Sequence, residues 1–101
     1  MKLPTPLEMQ LLSLVAHDEL AGREVARRYT EETGKSISYG TLYTTFRRLK
    51  ETGWVDVRDD HDDDGRIRYF KLTGSGRAAV REGATYYAGI AGFAKTIGGF
   101  A

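Results

Sequence analysis

The spacing of the apolar residues changes at Gly53. Before it, Leu42, Phe46 and Leu49 recur at i, i+4 and i+7, which makes one buried stripe along a helix. After it, "WVDVRD" and "RIRYFKLT" alternate apolar and polar residues, the pattern of strands with one covered face. "DHDDDG" separates the two runs. It is polar and ends in glycine, so the spacing predicts a β-hairpin with a long tip. Ser38 is a natural N-cap for the preceding helix, and Gly53 supplies its stop. At 101 residues the chain is one domain, long enough to bury about two thirds of its unfolded surface around one modest core.

The remaining elements follow from caps and periodicity. Thr5, Pro6 and Glu8 form a helix start, with a cap, a first-turn proline and a capping box. Met9, Leu12 and Val15 then recur at helical spacing, which predicts a first helix over roughly Pro6 to His17. A second helix covers about Ala21 to Thr33, with Val25, Ala26 and Tyr29 on its apolar side and Gly34 after its end. "KSIS" links it to the third helix, with a short strand placed at Ser36 to Ile37. Thr73 caps a last helix that runs to about Thr96, roughly 35 Å at ~1.5 Å per residue. The order is helix, helix, helix, strand, strand, long helix. This predicts a mainly α fold with a small antiparallel β wing: a winged helix-turn-helix plus a long C-terminal helix. Residues 1–73 would form the winged unit and residues 74–101 a C-terminal dimerisation helix in the same compact body.

"SYGTLYTTFRRLKETGWV" followed by "DDDGRIRYFKLTGSGRAAV" resembles the PadR family of winged-helix transcriptional regulators. The positions that carry the resemblance are Gly40, Thr41, Leu42, Tyr43, Arg48, Leu49, Gly53, Gly65, Arg66, Tyr69, Phe70, Leu72, Thr73, Gly76 and Arg77. It spans about Pro6 to Val80. Thr44 stands where the family usually has proline, and "AGREVA" opens the second helix in place of a Gly-Tyr-Glu-Ile pattern. The chain resembles the short members of the family, whose dimerisation segment is minimal. The resemblance implies a transcriptional regulator that binds double-stranded DNA, with Tyr43 as a phosphate anchor.

The residues support that expectation independently. Net charge is only +1, but it is unevenly spread. Arg23 to Lys50 holds seven Lys/Arg against three Glu, Asp59 to Asp64 holds five Asp, and Arg66 to Arg81 holds five Lys/Arg and no acid. A phosphate backbone responds to such local basic surface more than to total charge. Burying Leu42, Phe46 and Leu49 turns Tyr39, Tyr43, Thr44 and Arg47 outward on a helix whose width fits the major groove. Hydroxyls of Ser38, Thr41 and Thr44 suit phosphates or bases. Arg47 is the candidate for reading a guanine through two parallel hydrogen bonds. A solvated helix face is the plain alternative, and for the two tyrosines the alternative is packing inside the domain, Tyr39 sooner than Tyr43. Arg66 and Arg68 share one strand face and are candidates for the minor groove, or for pairing with nearby aspartates. Lys35, Arg48 and Lys50 are candidate phosphate contacts.

The run from Asp60 to Gly65 matches the first half of a calcium loop, but its twelfth position is Lys71 where a bidentate Glu is needed. It is expected to be a solvated tip held away from DNA; the other reading of these acids is that they repel phosphate and so reduce non-specific binding. A second use of this tip is protein docking, which would make the chain a winged-helix interaction module. No cysteine is present, so disulfides, thiolate metal sites and Cys nucleophiles are excluded. His17 and His61 assemble no catalytic or metal cluster with other residues, so no enzyme activity, metal or cofactor is expected. "MKLPTPLEMQ" lacks the apolar run of a secretory leader, and the uncharged stretch Gly83 to Ala94 is too short to span a bilayer. A cytoplasmic protein is expected. On the last helix, Val80, Ala84, Tyr87, Ala91 and Ala94 form one apolar stripe, and Tyr86, Ile90, Phe93 and Ile97 form a second. A helix apolar over so much of its circumference needs two neighbours. These are the first helix of its own chain and the same helix of a second copy. Tyr86, Tyr87, Ile90, Phe93 and Ile97 are the candidate homodimer interface, and a small-molecule effector between the aromatic residues has no support from the sequence.

Overall fold

A computed structural model describes residues 2–97; residues 98–101 of the expected C-terminal segment lie outside them. The elements run α1 (Pro6–Leu14), β1 (Leu20–Ala21), α2 (Gly22–Thr33), α3 (Tyr39–Thr52), β2 (Val55–Asp62), β3 (Gly65–Leu72) and α4 (Gly74–Thr96). The architecture is mainly helical with one small antiparallel sheet and a long final helix, as the sequence predicts.

α1 starts with the expected capping box. The Glu8 N–H donates to Thr5 Oγ1 at 3.2 Å, and the Thr5 N–H donates to Glu8 Oε1 at 2.9 Å. The helix ends at Leu14, not His17. The carbonyls just past its end are claimed by other elements. Leu72 N–H donates to the Val15 carbonyl at 3.3 Å, and the Arg77 guanidinium donates to the Ala16 carbonyl at 2.9 Å. The chain therefore leaves the helix to meet the sheet.

The sheet has the order β1-β3-β2. The short strand lies at Leu20–Ala21, not at Ser36 to Ile37, and pairs Leu20 with Phe70 and Ala21 with Tyr69. Leu20 is buried, so this strand both fills the core and covers part of the open edge of β3. The tip is also shorter than the sequence suggests. β2 and β3 pair as far as Asp62 and Gly65, leaving only Asp63 and Asp64 in the turn. Two local features allow it. Asp62 Oδ1 accepts from the Asp64 N–H at 2.8 Å, and Gly65 takes φ +119°, which a side chain would disfavour.

The core gathers Leu11, Leu12, Val15, Val25, Leu42, Phe46, Leu49 and Phe70. Leu42, Phe46 and Leu49 are fully covered, as their spacing predicts; each contributes about 1.5–3 kcal/mol by burial. Phe46 stacks on Phe70 with centroids 4.1 Å apart, so α3 is fastened directly to the wing. Thr73 ties the other end. Its side chain accepts from Gly76 N–H at 3.0 Å, which caps α4, and its hydroxyl donates to the Gly53 carbonyl at 2.6 Å, where α3 stops.

Only the first part of α4 packs on its own domain. Gly76, Ala79 and Gly83 are buried, and Tyr87 donates its hydroxyl to the Pro4 carbonyl at 2.7 Å. Beyond that point the helix continues and the molecule measures 56 × 29 × 21 Å. Tyr86, Ile90, Phe93 and Ile97 are exposed on it. Among the described residues, no helix is long and apolar enough to cross a membrane.

Candidate nucleic-acid interface

α3 and the wing flank a groove of about 300 Å³. Tyr43, Thr44, Arg47 and Lys50 line it from the helix; Val57, Asp59, Arg66, Arg68 and Phe70 line it from the strands. The helical residues fall at i, i+1, i+4 and i+7, on the face beside the buried stripe. The strand residues share one sheet face because the register sets Val57 against Phe70, Asp59 against Arg68 and His61 against Arg66.

The N-terminus of α3 is built by its hydroxyls. Thr41 N–H donates to Ser38 Oγ at 3.1 Å, and Ser38 Oγ donates to Thr41 Oγ1 at 3.0 Å. Ser38 is therefore first a cap, and Thr41 is its partner. Both remain exposed, and each hydroxyl oxygen keeps capacity to accept. Thr44 lines the groove beside Arg47. Lys35 lies in the α2–α3 link and Arg48 on the neighbouring side of α3; both are exposed and neither lines the groove.

The two tyrosines part ways: Tyr39, half exposed, faces outward as expected, and the one that packs inward against the core is Tyr43, not Tyr39. Tyr39, Tyr43, Phe70 and Phe46 form an aromatic line from surface to interior, with centroid separations of 6.1, 5.9 and 4.1 Å. Tyr43 is thus the tyrosine that supports the domain. Its hydroxyl end lies beside Gly22, where α2 begins with no side-chain cap on its first N–H groups. Arg68 sits 5.7 Å from the Tyr43 ring centroid on the wing side, within the distance at which a guanidinium feels an aromatic face.

Arg66 and Arg68 face the groove, and both are held by Asp59. The Arg66 guanidinium donates to Asp59 Oδ2 at 2.6 Å and Arg68 Nε donates to Oδ1 at 3.1 Å. These hydrogen bonds, that of Arg66 first, hold the Asp59 carboxyl below the usual carboxylate range. The acid is fully ionised near neutral pH. The sequence places Asp59 in the acidic tip; the structure moves it inward, opposite Arg68. The missed signal was the register. A two-residue turn at Asp63 and Asp64 puts the odd-numbered residues of β2 on the face that carries Arg66 and Arg68.

The opposite wing face carries its own ion pairs. Arg58 donates to Glu19 at 2.7 Å and to Asp60 at 3.3 Å, and its guanidinium carbon lies 4.4 Å from the Tyr69 ring centroid. The bond from Arg58 lowers the Glu19 carboxyl. This network spends Arg58 on joining the α1–β1 link to the wing.

Residues 11–82 match the model of the transcriptional regulator PadR-like family. The chain belongs to this family. An uncharacterized protein of Lysinibacillus sphaericus is 28% identical over 79 residues, covering 75% of this chain and 72% of that one. Among solved structures, a PadR family transcription regulator from Clostridium difficile R20291 superposes with a TM-score of 0.75 at 18% identity, over 88% of this chain and 94% of that one. Bacillus subtilis PadR, solved in complex with operator DNA, gives a TM-score of 0.70 at 22% identity. The match covers 77% of the present PadR-like chain and 47% of the Bacillus protein. These likenesses show that the chain shares the PadR winged-helix fold.

Proposed function

We propose that this PadR-like protein is a sequence-specific DNA-binding regulator that acts as a homodimeric repressor. One observation carries the proposal. Arg47, Lys50, Arg66 and Arg68 converge on a single groove between an exposed helix face and a wing. Four cations against one acid, Asp59, make a local positive surface in a chain of net charge +1. α3 enters the major groove. Arg47 and Thr44 meet base edges there, while Tyr43, Lys50 and the uncapped N-terminus of α2 contact phosphates. The wing arginines reach the flanking backbone or minor groove. That the structurally similar Bacillus subtilis protein was solved with operator DNA supports DNA as the partner.

The exposed stripe of Tyr86, Ile90, Phe93 and Ile97 supports the dimer. Two copies joined along α4 present two α3 helices, which read half-sites about 34–36 Å apart on a near-palindromic site. Repression follows from occupying a promoter and excluding polymerase. Selection of bound sequences from a random duplex pool tests the proposal: a two-fold symmetric consensus is expected. Affinity for the selected duplex should fall with salt, log affinity against log salt having a slope near −0.9 for each phosphate neutralised. Failure to enrich any sequence, or an affinity flat in salt, refutes it and favours an interaction module that docks through the acidic turn.

A further inference from the structure

We infer that Asp59 is a specificity-determining residue of the DNA interface. It pairs with both wing arginines and at the same time opposes any phosphate that has no other partner in the groove. The inference rests on the DNA-binding reading above. Asp59 is the acid among the residues that line the α3–wing groove, and its two oxygens divide between Arg66 and Arg68 at 2.6 and 3.1 Å. Register explains the geometry: Arg68 is its direct cross-strand partner, and Arg66 is the next residue on the same face. All three side chains remain substantially open to solvent, with 35–54% of the side-chain surface exposed. Such exposed pairs are held weakly. A phosphate can therefore exchange for the carboxylate.

The carboxylate has two effects, and they act differently on different duplexes. As a charge, it repels phosphate on every sequence. As a partner, it biases both guanidiniums toward the groove, which favours a complex whose register is already fixed by base contacts. Random duplex has no fixed register, and its binding is electrostatic, so only the repulsion matters there. On the operator the two effects oppose each other. Asp59 therefore widens the gap between operator and random sequence.

Asp59→Asn tests this, with Asp63→Asn as the control. Both remove one negative charge from the wing, but Asp63 lies in the turn outside the groove lining. The probes are the duplex recovered by selection and a random-sequence duplex of equal length. Asp59→Asn is expected to raise affinity for random duplex roughly fivefold, the effect of one unit charge about 4 Å away in water. It is expected to leave operator affinity within about twofold and to steepen the random-duplex salt slope by about 0.9. Asp63→Asn should produce a smaller change on both duplexes, and thermal stability should be unchanged in both variants. Equal gains on both duplexes, or an Asp59→Asn effect no larger than that of Asp63→Asn, overturns the inference while the DNA-binding reading stands. A wild-type protein that binds neither duplex overturns both.

Discussion

Tyr43 is seated against Gly22. A Cβ built on Gly22 would lie 2.5 Å from the Tyr43 hydroxyl oxygen and 2.9 Å from its Cζ. The first residue of α2 therefore leaves the space into which a side chain of α3 fits. The ring cannot easily withdraw, because Tyr39 and Phe70 flank it at centroid distances of 6.1 and 5.9 Å. Gly22→Ala should cost about 1–2 kcal/mol through overpacking, measured by denaturant unfolding. It should also displace the Tyr43 hydroxyl and weaken DNA binding. In a Tyr43→Leu background the stability cost should largely vanish, since the clash is gone. An undiminished cost in that background would place the strain elsewhere in α2.

A second glycine joins α4 to the rest of the domain. A Cβ on Gly76 would meet the Trp54 carbonyl oxygen at 2.1 Å. That oxygen belongs to the backbone and already accepts from the Thr73 N–H at 3.0 Å, so it has little freedom to yield. Gly76→Ala is expected to cost about 3 kcal/mol, the upper range for overpacking, and to lower Tm by about 12–24 °C. Gly74 has open space where its Cβ would be; Gly74→Ala at the same helix start should be near neutral. Scanning calorimetry of the two variants separates packing at Gly76 from a general intolerance of side chains in this turn.

What the sequence made legible is what depends on local pattern. The α3 stripe was readable because Leu42, Phe46 and Leu49 repeat at helical spacing and lie between a Ser38 cap and a Gly53 stop. What escaped depends on register or on distant partners. Leu20 and Ala21 are too few to display alternation, and only their pairing with Phe70 and Tyr69 makes them a strand. Asp59 looked like one more tip acid until a two-residue turn fixed it opposite Arg68. Tyr39 and Tyr43 lie on one side of the same helix, and which of them meets Phe70 depends on where the wing lies. The function was therefore legible as a class of surface, while the internal pairing that tunes the surface was not.

Arg47 and Lys50 share the groove but should fail differently when removed. Arg47 presents a planar guanidinium able to make two parallel bonds to guanine, whereas Lys50 offers a point charge to phosphate. Arg47→Ala should cost about 1–3 kcal/mol on the selected duplex and relax one base position. Lys50→Ala should weaken all duplexes alike and reduce the salt slope by about 0.9. Competition binding against single-base variants of the selected duplex distinguishes the two. Uniform loss across sequences for Arg47→Ala would remove it from base reading.

α4 separates its aromatic residues into two roles. Tyr87 is committed within the chain, donating to the Pro4 carbonyl at 2.7 Å. Phe93 is 67% exposed and Ile90 48% exposed, on the part of the helix that extends past Tyr87. If a second copy covers that stripe, its loss should act on association and not on the fold. Ile90→Glu combined with Phe93→Glu should convert a dimer to a monomer in light scattering at micromolar protein, with helical circular dichroism retained. Cooperative binding to the two-fold site should be lost, because each half-site is then held by one α3 alone. Tyr87→Phe should do the reverse. It should cost about 0.5–1.5 kcal/mol for the missing hydrogen bond and leave the dimer intact. A wild-type protein that is monomeric at these concentrations, or a glutamate pair that leaves its mass unchanged, would deny α4 the dimer role and leave that apolar stripe needing a different partner.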